Sequence, residues 1–239
     1  MNTYLDSLNI KLFADGADFE TMIKMASHNW IHGLTTNPTL MRKAGVENYK
    51  NFALKVLADV KEKPISFEVF SDDFDEMVRQ ATEISKWGSN VNVKIPITNS
   101  QGKSTAPVIK YLADNNVKLN ITAILEVKQV DEVKKLLNPN FINYISIFAG
   151  RIADTGLDPV PIMEECLDSV GKFENIELIW ASPREILNVI QADAIGCHII
   201  TATSEILNKL SLLGKNLNQY SLETVQMFCN DAKASAYFI

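Results

Sequence analysis

The sequence predicts an α/β protein of one domain, a closed (β/α)8 barrel of the TIM type. Three observations carry that expectation: eight short β-branched runs, amphipathic segments between them, and no linker, low-complexity tract or composition shift to divide the chain. The runs fall at 10–14, 31–35, 65–70, 90–96, 118–122, 144–148, 177–181 and 194–201. Among the intervening segments, 73–87 places Phe74, Met77, Val78, Ala81 and Ile84 at three- and four-residue spacing, one helical face. Segments 106–115, 125–137, 160–173 and 183–192 follow the same rule, and two further helices are expected at 204–213 and 221–237. Strand-then-helix alternation implies parallel pairing. An open doubly wound sheet is the competing arrangement; the count of eight and the even spacing favour closure. The domain is expected to span 1–239, with 215–239 as a helical extension.

Bulk properties narrow the function classes. The 239 residues are 46% apolar, with only 8 Pro and 10 Gly, enough for a large core. Net charge is −6 without runs of like charge, so no nucleic-acid partner is expected. Local Arg and Lys can still bind an anionic small molecule. Cys166, Cys197 and Cys229 are odd in number and unpaired in spacing, against a disulfide framework or a zinc site. There is no signal-peptide pattern at the start and no stretch of about 18 apolar residues, so no membrane partner is expected and the default compartment is a reducing cytoplasm.

The run NVNVKIPIT at 90–98 holds a lysine inside an apolar strand. Alternation assigns Val91, Val93 and Ile95 to the helices, which points Asn92 and Lys94 into the barrel. Desolvation there lowers an amine's pKa, and a free amine attacks carbonyls. The plain alternative is a lysine that snorkels to water at the barrel mouth. Company decides between them. Polar residues close nearly every strand: Asp15; Thr35, Thr36 and Asn37; Glu68; Asn120 and Thr122; Ser146 and Arg151; Ser182 and Arg184. In a barrel, these ends build the active site. A single member has ordinary readings: an Asx-turn for Asp15, an N-cap for Ser182, an ion pair with Asp154 for Arg151.

The motifs TTNPTL (35–40), VKIPIT (93–98) and SIFAGRIAD (146–154), with a weaker match in YSLETVQMFCNDA (220–232), together resemble the transaldolase family, Schiff-base aldolases on a (β/α)8 barrel. That resemblance implies roles. Lys94 matches the Schiff-base lysine and Asp15 the general acid/base. Glu68 and Thr122 match the pair that positions a catalytic water. Thr35 matches a substrate-contacting position, Asn37, Asn120 and Ser146 the hydroxyl-binding positions, and Arg151, Ser182 and Arg184 the phosphate site. Within the family, Glu68 and Phe148 match the transaldolase branch rather than the fructose-6-phosphate aldolases, which typically carry glutamine and tyrosine there. The sequence departs from the family pattern at Gly16, Thr155 and Pro183.

The chemistry is self-consistent. Cleaving a carbon–carbon bond beside an alcohol needs an electron sink, which an iminium supplies, and a carboxylate to take the hydroxyl proton. Glu68 among apolar neighbours should have a raised pKa. Ser182-Pro183-Arg184 is read as the start of a helix with proline at its first position, whose free N–H groups favour an anion. The expected function is transfer of a dihydroxyacetone unit between phosphorylated sugars such as sedoheptulose 7-phosphate and glyceraldehyde 3-phosphate. The alternatives are an aldolase that releases free dihydroxyacetone and a barrel that binds sugar phosphates without chemistry. No cofactor or metal is expected, and a homo-oligomer is. QGKST at 101–105 lacks the glycine a phosphate-binding loop needs, since position 97 is Ile97. His28, His32 and His198 lack metal spacing, and Met22, Met25 and Met163 fall on helical faces, where packing is the expected role.

Overall fold

The computed structural model describes residues 4–235. Contacts group the chain into two units: Asn9–Asn208, and the residues up to Leu8 with those from Lys209 onward. The first unit holds every strand among the described residues. In chain order, β1 (Lys11–Asp15) leads to α1 (Phe19–Ala26), and β2 (Ile31–Thr35) to α2 (Pro38–Lys43) and α3 (Tyr49–Asp59). Then β3 (Ile65–Glu68) leads to α4 (Phe74–Ile84), β4 (Val91–Pro96) to α5 (Ala106–Asp114), and β5 (Leu119–Ile124) to α6 (Val127–Val133). Finally β6 (Asn143–Ile147) leads to α7 (Ala149–Asp154) and α8 (Pro159–Val170), β7 (Ile176–Trp180) to α9 (Leu187–Ala194), and β8 (Ile199–Thr203) to α10 (Ser204–Leu207). All neighbouring pairs are parallel, and β8 returns to β1, so the sheet is a closed (β/α)8 barrel as expected. In the second unit, α11 (Leu217–Ser235) has no buried residue among those described.

Local chemistry sets the helix starts. Asp18, Asn37, Asn48 and Asp73 each accept a backbone N–H from their helix's first turn, and Pro38 and Pro159 occupy opening positions where no N–H is needed. The helices bury their apolar stripes against the outer barrel wall; Met22, Met25 and Met163 are among these buried residues. Inside the barrel, Phe13 packs with Tyr144, Ile179, Ala181 and Ile199. Gly33 makes room for that ring: a Cβ there would lie 2.5 Å from Phe13 Cζ. His32 and His198 act as structural acceptors, their Nδ1 atoms taking the N–H of Leu12 and Leu178.

The ladder is uneven. Five register pairs join β1 to β8 and five join β6 to β7, but only two join β2 to β3 and two join β7 to β8.

Two expectations need correction. The helix expected from Pro183 starts at Leu187, with Ile186 as its N-cap residue. Ser182 is not a cap; it has φ +60°, and Asn188 Oδ1 accepts the N–H groups of Arg184 and Glu185. The eighth strand starts at Ile199 rather than 194, because Ala194 still belongs to α9. Tyr237, the expected end of the last helix, lies outside the described residues.

Candidate active site

A cavity of about 550 Å³ opens at the C-terminal ends of the strands. Of the twelve residues read as catalytic or substrate-binding, Lys94, Asp15, Glu68, Thr122, Thr35, Asn37, Ser146, Phe148, Arg151, Ser182 and Arg184 line it. Asn120 does not; it is fully buried beneath the lining.

Register builds the floor. Glu68 pairs with Lys94, and Lys94 with Asn120, so three polar side chains from β3, β4 and β5 share one level. Val91, Val93 and Ile95 alternate with Asn92 and Lys94, and every one of them is buried. Lys94 is 6% exposed. Its Nζ lies 3.2 Å from Glu68 Oε2 and donates to the Thr36 carbonyl at 3.0 Å. The snorkelling alternative therefore fails: the ammonium is turned inward onto a carboxylate and a carbonyl. Asn120 is fixed from both sides, donating to Ser66 Oγ at 3.0 Å and accepting from Ser146 Oγ at 2.7 Å.

Asp15, at the end of β1, is enclosed by the barrel wall with only part of its surface open to the cavity. Burial pushes its carboxyl above the ordinary value; the Lys94 ammonium and the Thr35 hydroxyl oppose that, and Glu68 adds to it. Thr35 Oγ1 donates to Asp15 at 2.7 Å and lies 2.6 Å from Thr201 Oγ1. With Thr35's proton engaged, Thr201 is the donor in the second bond. Thr122 Oγ1 is buried without a hydrogen-bond partner among the described residues. The next residue, Ala123, has φ +63° at an irregularity in the β5–β6 register. Non-glycine residues held in this region collect at functional sites. Asn37 spends Oδ1 on capping α2, accepting from Leu40 N–H at 2.9 Å, which leaves its amide nitrogen uncommitted to the cap.

The rim combines β6 and β7. Arg184, not Arg151, forms the ion pair with Asp154, through both Nε and Nη2. The guanidinium of Arg151 instead sits 5.7 Å from the centre of the Phe148 ring. Gly150 permits the closeness of the two loops: a Cβ on it would fall 1.6 Å from the Ser182 carbonyl oxygen.

Several residues here went unremarked in the sequence. Thr201 carried the same signal as the others, a polar residue near the C-terminal end of a strand. Ser66 shares Glu68's parity on β3 and follows from alternation. Lys43, on α2, lines the mouth and had no signal beyond following TTNP.

Comparison with known proteins agrees with the geometry. A probable transaldolase of Clostridium kluyveri is 35% identical over 200 residues, covering 83% of this chain and 88% of that protein. Probable transaldolases of Methanococcus maripaludis and Dehalococcoides mccartyi are 31% and 32% identical over 202 residues, covering 84% of this chain and 89% and 90% of theirs. The family model described as transaldolase/fructose-6-phosphate aldolase matches residues 12–237. With a barrel closed strand by strand and a lysine turned onto a carboxylate at its mouth, the chain belongs to the transaldolase/fructose-6-phosphate aldolase family.

Proposed function

We propose that the protein is a transaldolase that moves a dihydroxyacetone unit from a ketose phosphate, such as sedoheptulose 7-phosphate, to glyceraldehyde 3-phosphate, giving erythrose 4-phosphate and fructose 6-phosphate. The observation that carries this reading is the seat of Lys94, nearly buried, 3.2 Å from Glu68 and in one cavity with Asp15. In this reading Lys94 loses a proton, adds to the donor's ketone and expels water to form an iminium. Asp15 then takes the proton of the neighbouring hydroxyl as the carbon–carbon bond breaks, and the electrons pass into the iminium to leave an enamine. An acceptor aldehyde adds to the enamine, and hydrolysis restores the amine.

Glu68 shares Lys94's level and the Thr122 hydroxyl stands two residues beyond it, in register with Pro96, a placement that supports their handling the water that leaves and returns. Asn37, Asn120, Ser146 and Thr35 are assigned to the sugar hydroxyls or their support. Arg151, Ser182 and Arg184 are assigned to the phosphate, Arg184 keeping donors beyond the two that Asp154 takes. Phe148 has no hydroxyl to protonate the enamine, which favours transfer over release of free dihydroxyacetone. No cofactor enters the scheme. Free, mostly buried cysteines support work in the cytoplasm. The exposed apolar side chains of α11, Leu217, Tyr220, Val225 and Phe228 among them, support a homo-oligomer, which light scattering would measure.

Borohydride with fructose 6-phosphate is expected to label Lys94, read by peptide mass mapping, and Lys94→Met to abolish both label and turnover. Turnover of donor without any acceptor aldehyde would favour the aldolase; unlabelled Lys94 during turnover would remove the reading.

A further inference from the structure

We propose that Tyr49, outside the barrel wall on α3, is a positioning residue for Lys94 and Glu68, its hydroxyl standing in for rungs that the β2–β3 ladder lacks. The inference rests on Lys94 being the imine-forming amine. Along this seam, Leu34 N–H donates to Pro64 O at 2.9 Å and Thr36 N–H to Ser66 O at 3.1 Å. A parallel ladder continued by the same step would next take Glu68 N–H to the Thr36 carbonyl, and then the N–H of residue 38 to the Glu68 carbonyl. Residue 38 is Pro38, which has no N–H to give. The Glu68 peptide is instead closed by a single hydroxyl. Glu68 N–H donates to Tyr49 Oη at 2.9 Å, and Tyr49 Oη donates to the Glu68 carbonyl at 2.9 Å.

The consequence lies inside the barrel. With Glu68 N–H engaged elsewhere, the Thr36 carbonyl accepts from Lys94 Nζ at 3.0 Å. Tyr49 thus satisfies the peptide that carries Glu68 and releases a carbonyl that aims Lys94. It is itself well held. Its ring meets Phe67, Phe70 and Trp87 edge-on at 6.2, 5.6 and 5.5 Å, and burial pushes its hydroxyl far above the ordinary phenol range, so it remains a donor.

The test is Tyr49→Phe, which keeps the ring and removes only the hydroxyl, set beside Phe70→Ala, which loosens the same aromatic cluster. The readouts are the rate of borohydride labelling of Lys94 with fructose 6-phosphate, kcat and KM, the melting temperature and the affinity for inorganic phosphate. For Y49F we expect labelling and kcat to fall about tenfold or more, the scale of one lost hydrogen bond of alignment, with KM and phosphate affinity within about twofold. For F70A we expect a lower melting temperature and labelling within about twofold of wild type. Wild-type labelling in Y49F, or equal slowing in both variants, overturns the inference while the imine reading stands. Absence of label on Lys94 in the wild type removes both. Should Y49F not fold, 4-aminophenylalanine at position 49 keeps the ring and a donor to the Glu68 carbonyl but is a poor acceptor. About threefold slower labelling is then expected, and the wild-type rate overturns the inference.

Discussion

Asp15 is held where a carboxylate is poorly solvated, and burial outweighs the help it receives from Lys94 and Thr35. Its folded-state pKa is raised, so the protein's stability suffers wherever the unfolded chain is ionised. Below the ordinary value of 3.8 both states are protonated and the penalty vanishes; above it the penalty grows until the folded-state carboxyl also ionises. Asp15→Asn is therefore expected to leave the melting temperature unchanged near pH 3 and to raise it at pH 7, where each kcal/mol recovered is worth about 2–4 °C in a chain of this size. The same variant should still label at Lys94 yet lose about 10²–10⁴ in turnover, the usual loss on removing a general acid/base. Paired thermal melts at the two pH values check the first, and labelling beside kcat the second. A variant that melts lower at pH 7 would mean that the attraction of Lys94 outweighs desolvation.

At the scale of elements, the join between β6 and β7 governs the rim. Gly150→Ala would drive a methyl into the Ser182 carbonyl, and backbone rather than a flexible side chain would have to move. We expect a loss of at least the ~1–3 kcal/mol typical of overpacking, together with a phosphate affinity lowered about tenfold or more, measured by denaturant titration and calorimetry with inorganic phosphate. Wild-type phosphate affinity in a folded Gly150→Ala variant would detach this contact from anion binding. This join also marks where the sequence could be read and where it could not. The strands were legible because β-branched runs and alternation are local; β2 was read to the residue and most other ends to within two. The helices α2, α3 and α7 were not picked out, and α1 was read only as a helical face carrying Met22 and Met25; at six residues each, α2 and α7 are too short for a periodic signal. The start of α9 was misplaced because Ser182-Pro183 has the composition of a helix opening, whereas Ser182 adopts φ +60° and packs its carbonyl against Gly150, 32 positions away. Among the site residues, the gathering at one mouth follows from each lying at a strand end. The partnership of Arg184 with Asp154, and of Tyr49 with Glu68, belongs to side chains brought together by folding and leaves no local trace.

At the scale of the molecule, the ring is not uniformly stitched. Two thin seams, β2–β3 and β7–β8, separate an arc of β8, β1 and β2 from an arc of β3 to β7. In native-state hydrogen exchange, Leu34 and Thr36, whose amides cross the first seam, are expected to open before the amides of the β1–β8 ladder. Equal protection around the whole ring would contradict this. Asp15, Thr35 and Thr201 ride on the smaller arc; Lys94, Glu68, Thr122 and Ser146 ride on the larger. A motion that flexed the β2–β3 seam would change the gap between Asp15 and Lys94, and would stretch the bond from Lys94 to the Thr36 carbonyl, which crosses it. The spacing of the two groups is thus guarded by side-chain bonds where the backbone offers few.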